Sequence, residues 1–273
     1  DAAIDHFTRW LSAHEIKRNT MKRTSRKSKR VSRRPKRTSR RLRPNVHRTA
    51  SGKGIPRPTS VIYTERAMER THRWAVRSLK TKSRDDQALF GIVQGGEYQD
   101  LRLKSAAFIA ALPFSGFAVG GSLGQSKKDM HKILDWVIPE LPENKPRHLL
   151  GIGGFDDIVE AVDRGVDWFD CVTPTRLARR KGTVFTERGP LNLTHARHKK
   201  DNRPIEAGCS CPTCSSGFSR AYLRHLIIAQ EPLAIRLTTL HNLSVMMRFM
   251  RELREAIEAN QFAAFKIAAL KRR

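Results

Sequence analysis

From about residue 60 onward, short apolar runs alternate with stretches whose apolar residues recur every three or four positions. "TERAMERTHRWAVRSL" (64–79) reads as an amphipathic helix. "ALFGIVQGG" (88–96) reads as a buried strand closed by glycines. It leads into a helix over 97–112 whose Leu101, Ser105, Phe108, Ile109 and Leu112 share one face. "GFAVGG" (116–121) reads as a second strand, and the helix after it carries Met130, Ile133, Leu134 and Val137 at i, i+3, i+4, i+7. "HLLGIGG" (148–154) is a third strand, followed by a helix over 156–163, and "VDWFDCV" (166–172) is a fourth. Strands that are apolar throughout belong to sheets buried under helices, so four such units in series predict a parallel α/β sheet. Glycines and polar residues gather at the carboxyl ends of the strands, where α/β folds place their sites. The pattern fits a small open sheet and half of an eight-stranded barrel equally.

With 273 residues and 39% hydrophobic content, the chain is long enough to bury a core. No run of about 18 apolar residues exists, so no membrane-spanning helix is expected. The opening "DAAIDHFTRW" lacks the basic-then-apolar order of a secretory signal, and the expected location is the cytoplasm. A first residue of Asp rather than Met suggests that the true start lies upstream. The net charge of +27 is unevenly spread: residues 16–57 hold 18 Lys and Arg and no acid, and the remaining 35 bases against 26 acids leave +9. Even that remainder favours a polyanion such as nucleic acid. "KRTSRKSKRVSRRPKRTSRR" (22–41) cannot bury enough apolar surface to fold by itself. Residues 1–59 therefore read as an RNA-binding arm, a tail without a defined role, or a non-native stretch.

The candidate chemistry lies further on. "CSCPTC" places Cys209, Cys211 and Cys214 on one turn, three of the four cysteines in the chain. Thiolates so closely spaced suit a tetrahedral Zn2+, whose fourth ligand could be Cys171, His225 or His241. "WFDCVTPTR" sets a lone carboxylate, Asp170, where a buried strand opens into a loop rich in arginine: Arg176, Arg179 and Arg180. Such cations can hold phosphates and keep the acid ionised, so Asp170 is either a nucleophile or acid-base group, or an acid that caps the loop or pairs with Arg176. Gln94 can both donate and accept at a purine edge, and Gly120 and Gly121 would admit a flat ligand against the main chain.

Taken together, "RTHRWAVRS", "FGIVQGG", "GFAVGG", "KPRHLLGIG", "RGVDWFDCVTPTRLAR", "CSCPTC", "FSRAYLRHL" and "HNL" resemble the tRNA-guanine transglycosylases, or queuine tRNA-ribosyltransferases, over residues 60 to 265. The resemblance implies an α/β fold of the (β/α)8 TIM-barrel type, with a zinc-binding subdomain at about 190–245 and a basic tail at 266–273. It implies an enzyme that replaces guanine at the wobble position of tRNAs with a GUN anticodon by a 7-deazaguanine, in queuosine biosynthesis. Asp170 matches the nucleophile that bonds to the ribose, and Gln94, Gly121 and Leu150 match residues around the base. Gly151, Ile152, Gly153, Gly154, Phe155, Asp156 and Asp157 match one tRNA-binding stretch; Thr175, Arg176, Leu177, Ala178 and Arg179 match another. Cys209, Cys211, Cys214 and His241 match the zinc ligands, leaving His225 a structural role. Family members act as homodimers.

The match supplies only the second half of such a barrel, since a complete one takes roughly 250 residues. The chain is therefore expected to be a fragment of a longer enzyme, or to need a partner that supplies the other half. The alternative function is a catalytically silent RNA-binding or partner subunit. Where bacterial members commonly read "GGLAVGE", this chain reads "GGSLGQ", with Gln125 in place of the acid. The incoming base could thus be prequeuosine-1 or queuine.

Overall fold

The computed structural model describes residues 60–271, together with the backbone of a short antiparallel pair, β1 (Val46–Arg48) and β2 (Gly54–Pro56). The segment read as an arm, tail or non-native stretch otherwise lies outside the described residues.

Helix α1 (Val61–Thr81) starts where the Ser60 hydroxyl accepts from the Tyr63 amide, and it buries Thr64, Met68 and His72 along a single stripe. Four strand-helix units follow: β3 (Phe90–Val93), α2 (Gln99–Ala110), β4 (Gly116–Val119), α3 (Lys127–Val137), β5 (Arg147–Leu149), α4 (Phe155–Val162) and the strand β6 (Trp168–Phe169). The strands are parallel and stand in chain order, β3-β4-β5-β6, with Ile92, Ala118, His148 and Trp168 in one row and Val93, Val119, Leu149 and Phe169 in the next. An order that never reverses, joined by right-handed crossovers, puts every connecting helix on the same face of the sheet. Val93, Phe117, Val119 and Leu149 point to that face and are fully buried against Ala106, Ile109, Ile133, Leu134 and Val137. The other face is more open. There the Phe90 and Trp168 rings stack with centroids 5.3 Å apart, and Ile92 is 37% exposed.

The sequence pattern placed all four units, with three differences. The strands are shorter than the apolar runs, because the glycine-bearing ends turn away from the ladder: Gly95, Gly96 and Gly121 all have positive φ. On α2 the buried set is Leu101, Arg102, Ser105, Ala106 and Ile109, while Phe108 is 39% exposed and stacks on His72 instead. The arginine-rich stretch after Asp170 is not a loop but helix α5 (Thr173–Lys181). Pro174 starts this helix rather than breaking it, since the first turn needs no amide hydrogen and proline's φ is already helical.

A hairpin of β7 (Thr183–Thr186) and β8 (Gly189–Asn192) leads to α6 (Pro212–Ser215), α7 (Arg220–Ile228) and the 27-residue α8 (Pro232–Glu258). These enclose a second apolar centre of Val184, Leu193, Ile205, Leu223, Leu226 and Leu237 around the three cysteines. The end of α8 and helix α9 (Phe262–Lys271) return to the sheet layer, packing Leu253, Phe249 and Phe265 on Ile158 and Val159 of α4. The expected tail from residue 266 is thus helical as far as Lys271, and Lys266 pairs with Glu160 and Asp163. No helix among the described residues is long and apolar enough to cross a membrane.

Gly91 marks the closest approach of β3 to its covering layer: a β-carbon there would lie 2.6 Å from Ile109 Cγ2 and collide with the Phe114 ring. Gly91→Ala is expected to lower the unfolding free energy by about 1–3 kcal/mol through overpacking, read as a lower urea midpoint. An unchanged midpoint would contradict the packing described.

Candidate functional site

Gln94, Gly120, Leu150 and Asp170 each directly follow the last residue of β3, β4, β5 and β6. Four neighbouring parallel strands therefore deliver them to the same end of the sheet. A β-carbon on Gly120 would stand 2.9 Å from Leu150 Cδ1 and 3.9 Å from Gln94 Nε2, so these residues meet around bare main chain. Gly121 has φ of 80°, and the Gln94 amide oxygen occupies the place its side chain would need; only glycine meets both demands. The structure thus brings Gln94, Gly121 and Leu150 to one place.

Below them lies Arg102, a residue the sequence reading did not single out. It is fully buried and donates to the carbonyls of Gly96 (2.8 Å), Val93 (3.3 Å), Gly120 (2.9 Å) and Ser122 (2.7 Å). Burial pushes its pKa down to about 10, which leaves it charged at neutral pH. Ser105, one turn on, accepts the Gln94 amide at 3.0 Å and lies 3.1 Å from His72 Nε2.

Asp170 stands at the exposed rim. Its Oδ1 accepts the Gly151 amide at 3.0 Å and lies 3.0 Å from Nε2 of His148. It pairs with neither Arg176 nor any other arginine among the described residues, so the pairing with Arg176 is not what the structure shows; the acid caps the Gly151 amide of the neighbouring turn instead. Cys171 turns back to Thr173 Oγ1 at 3.1 Å and takes no part in the cysteine cluster. The stretch from Gly151 to Asp157 forms the β5–α4 turn and the first turn of α4, where Lys127 pairs with both Asp156 and Asp157. Thr175, Arg176, Leu177, Ala178 and Arg179 all lie on α5, with Ala178 buried and Arg176, Arg179 and Arg180 exposed without an acidic partner among the described residues.

The second candidate centre is complete. The ligand atoms of Cys209, Cys211, Cys214 and His241 all lie within 4.8 Å of one another and are buried, an arrangement that could hold a metal ion. His241 Nδ1 is 3.9, 3.4 and 3.5 Å from the three sulfurs. Its Nε2 lies 2.7 Å from the Phe185 carbonyl and so carries the proton, leaving the Nδ1 lone pair aimed at the cluster. Burial keeps the imidazole neutral by lowering its pKa, raises the Cys211 thiol, and pushes Cys214 up to about 12. A bound cation is what would draw off those thiol protons. His241 lies on α8, beyond α7, and His225 is exposed on α7, outside the cluster. Asn242, which the sequence reading passed over, donates to Pro174 O (2.9 Å) and Thr183 O (3.1 Å) and accepts from Phe185 N (2.9 Å).

A cavity of about 720 Å3 in this layer is walled by Arg188, Arg197, Asp201, Arg203, Glu206 and Arg220 among others. Asp201 accepts from Arg203 at 2.8 Å and from Arg220 at 3.3 Å, and none of the strand-tip residues lines this cavity.

A family model described as queuine tRNA-ribosyltransferase matches residues 37–273. The chain is 51% identical over 211 residues to a queuine tRNA-ribosyltransferase of Herpetosiphon aurantiacus, covering 77% of this chain and 53% of that protein. It is 49% identical over 213 residues to the Bacillus velezensis protein of the same name, covering 77% and 55%. A putative queuine tRNA-ribosyltransferase of Archaeoglobus fulgidus is 50% identical over 212 residues, covering 75% and 52%. The chain spans about half the length of these curated relatives.

Elemental analysis of the purified chain is expected to give one metal equivalent per chain. His241→Ala should lose that metal and lower the thermal midpoint, as chelation of the wild type should. A wild type whose unfolding curve ignores a strong chelator would refute a metal centre.

Proposed function

The chain belongs to the queuine tRNA-ribosyltransferase family, and from that premise we propose that it takes part in tRNA base exchange, replacing wobble guanine in tRNAs with a GUN anticodon by a 7-deazaguanine. The observation that carries this reading is the meeting of Gln94, Gly120, Gly121 and Leu150 around bare main chain, with Asp170 on the next strand at the same sheet end.

In this reading Gln94 and the Gly121 main chain read the polar edge of the base, and Leu150 covers its flat face. Asp170 attacks the ribose carbon C1′, and the incoming base later displaces it, so the two half-reactions alternate on one carboxylate. The arginines of α5 take the phosphates of the anticodon loop: they set affinity and register, while the pocket selects the base. An unpaired loop base can be splayed out of its stack, which makes the substrate reachable. The paired acids Asp156 and Asp157 suit a role in shaping the β5–α4 turn, whose amides would face the RNA, better than direct contact with phosphate.

The metal in this proposal is zinc, held by Cys209, Cys211, Cys214 and His241. A tetrahedral site with zinc–sulfur bonds of about 2.3 Å and zinc–nitrogen bonds of about 2.0 Å has sulfur–nitrogen edges of about 3.5 Å, against the 3.4–3.9 Å here. With four protein ligands the ion has no open position, so its part is structural. The sheet is proposed as an arc of a (β/α)8 barrel, because its strands never reverse order and its helices cover one face. The homodimeric state and cytoplasmic setting of this family complete the proposal.

Two experiments test the proposal. Wild-type chain incubated with a GUN-anticodon tRNA is expected to give a covalent complex that survives denaturing gel electrophoresis, and Asp170→Asn to give none; equal behaviour of the two would favour a silent RNA-binding subunit. Arg176→Ala and Arg179→Ala are each expected to weaken tRNA binding and to reduce the slope of log affinity against log salt by about 1. A slope that does not change would remove α5 from the RNA interface.

A further inference from the structure

We propose that His148 is a positioning residue for Asp170: with the Gly151 amide it immobilises Oδ1, so that Oδ2 is the oxygen that attacks C1′. This inference rests on the reading of Asp170 as nucleophile.

The argument starts from the strand register. His148 on β5 stands opposite Trp168 on β6, and Asp170 follows Trp168 by two residues, on the same face of the sheet. The His148 ring meets the Trp168 indole edge-on, with centroids 6.5 Å apart, and its side chain keeps only 21% of its exposure. A ring so wedged has little freedom, and it presents Nε2 to Oδ1 at 3.0 Å. An ionised carboxylate oxygen can only accept, so Nε2 must carry the proton. The Gly151 amide supplies the second donor, also at 3.0 Å. A carboxylate oxygen with two donors in place has its in-plane lone pairs committed. Oδ2 has no hydrogen-bond partner among the described residues, on a side chain that is 59% exposed. The two oxygens of one carboxylate are thereby given different work.

The covalent step balances as follows. The Oδ2–C1′ bond forms as the C1′–N9 bond breaks, and the bonding pair leaves with the base, which takes up a proton from water at this exposed rim. In the return half-reaction N9 of the incoming base supplies the pair and gives its proton to water, while Oδ2 leaves C1′ as carboxylate. Between the two halves Oδ1 is the ester carbonyl oxygen and keeps both donors. When C1′–Oδ2 breaks, charge returns to a group that His148 and Gly151 already solvate, so the same pair that fixes the attack also eases departure.

The test compares His148→Phe, which keeps an aromatic ring beside Trp168 but no donor, with His148→Gln, which restores an N–H of similar reach. His148→Phe is expected to slow formation of the covalent tRNA complex roughly 10- to 100-fold, the loss of one hydrogen bond to a charged group, with the KM for tRNA unchanged. His148→Gln should recover most of the rate. A wild-type rate in His148→Phe, a glutamine variant no better than phenylalanine, or a KM that rises in step with the falling rate would each overturn the proposal. A second measurement needs no tRNA: in the long-range 1H–15N spectrum of the imidazoles, the His148 signal should show a protonated Nε2 and shift in Asp170→Ala. A proton on Nδ1 instead, undisturbed by that substitution, overturns the contact even if base exchange is real. A wild type that forms no covalent complex while the spectrum shows the contact overturns the reading of Asp170 itself.

Discussion

At the tips of β3 and β4 four main-chain carbonyls converge on Arg102, and one of them, that of Val93, also takes the Gly120 amide. Buried polar groups must find partners, and a buried charge is costly unless its donors are used. Arg102 meets both demands together, because one planar guanidinium fans its donors over four carbonyls from two consecutive turns. Among the described residues no acid pairs with Arg102, so the carbonyl dipoles solvate the charge. The consequence for the pocket is geometric. Gln94 lies between two anchored carbonyls, those of Val93 and Gly96, and Gly121 lies between two others, those of Gly120 and Ser122. Loops held at both ends keep the amide and the bare backbone in register before any ligand arrives, as binding a flat polar edge requires.

A second tie runs from the metal cluster to the arginine helix. His241 and Asn242 are consecutive on α8, so their side chains leave the helix about 100° apart and face different neighbours. His241 completes the cysteine cluster while holding Phe185 of β7; Asn242 holds Phe185 and Thr183 of β7 and Pro174 of α5. The cluster is therefore coupled, through two adjacent residues and one strand, to the helix that begins three residues after Asp170. Loosening the cysteine turn would shift α8, and α8 would carry α5 with it. A metal centre without an open coordination position still bears on the site in this way.

How far the sequence could be read depended on which signals are local. The four strand-helix units were legible because burial between helices and sheet imposes apolar runs and three-four spacing along the chain itself. Gln94, Gly121, Leu150 and Asp170 were legible because each ends an apolar run and sits in a motif of a resembled family. Helix α5 was misread as a loop because Pro174 is a breaker inside a helix and a starter at its first turn, and sequence alone does not say which turn it occupies. Arg102 escaped because a charge is assumed to face water; its carbonyl partners come from residues 93 to 122 and only the fold assembles them. Asn242 escaped for the same reason, its partners lying 57 to 68 positions away. His148 stood inside a quoted motif without its own signal, since the contact with Asp170 depends on the register of two strands.

The distribution of charge follows from how these ties use it. Several scaffold arginines are paired: Arg164 with Asp135 and Glu160, Arg203 and Arg220 with the shared Asp201, and Arg248 with Glu206. Lys127 and Lys266 are likewise spent on pairs of acids that tie α3 and α9 to α4. Exposed pairs of this kind add little stability each, but they cancel field wherever they occur. What remains uncancelled on the sheet's carboxyl end is α5, with Arg176, Arg179 and Arg180 exposed and the positive end of the helix dipole turned toward Asp170. The net charge of the chain therefore does not show where its field lies, because several scaffold cations are paired with acids while those of α5 are not. That helix starts at the strand tip which bears the exposed carboxylate, so an incoming polyanion would be drawn to the place where its sugar can be reached.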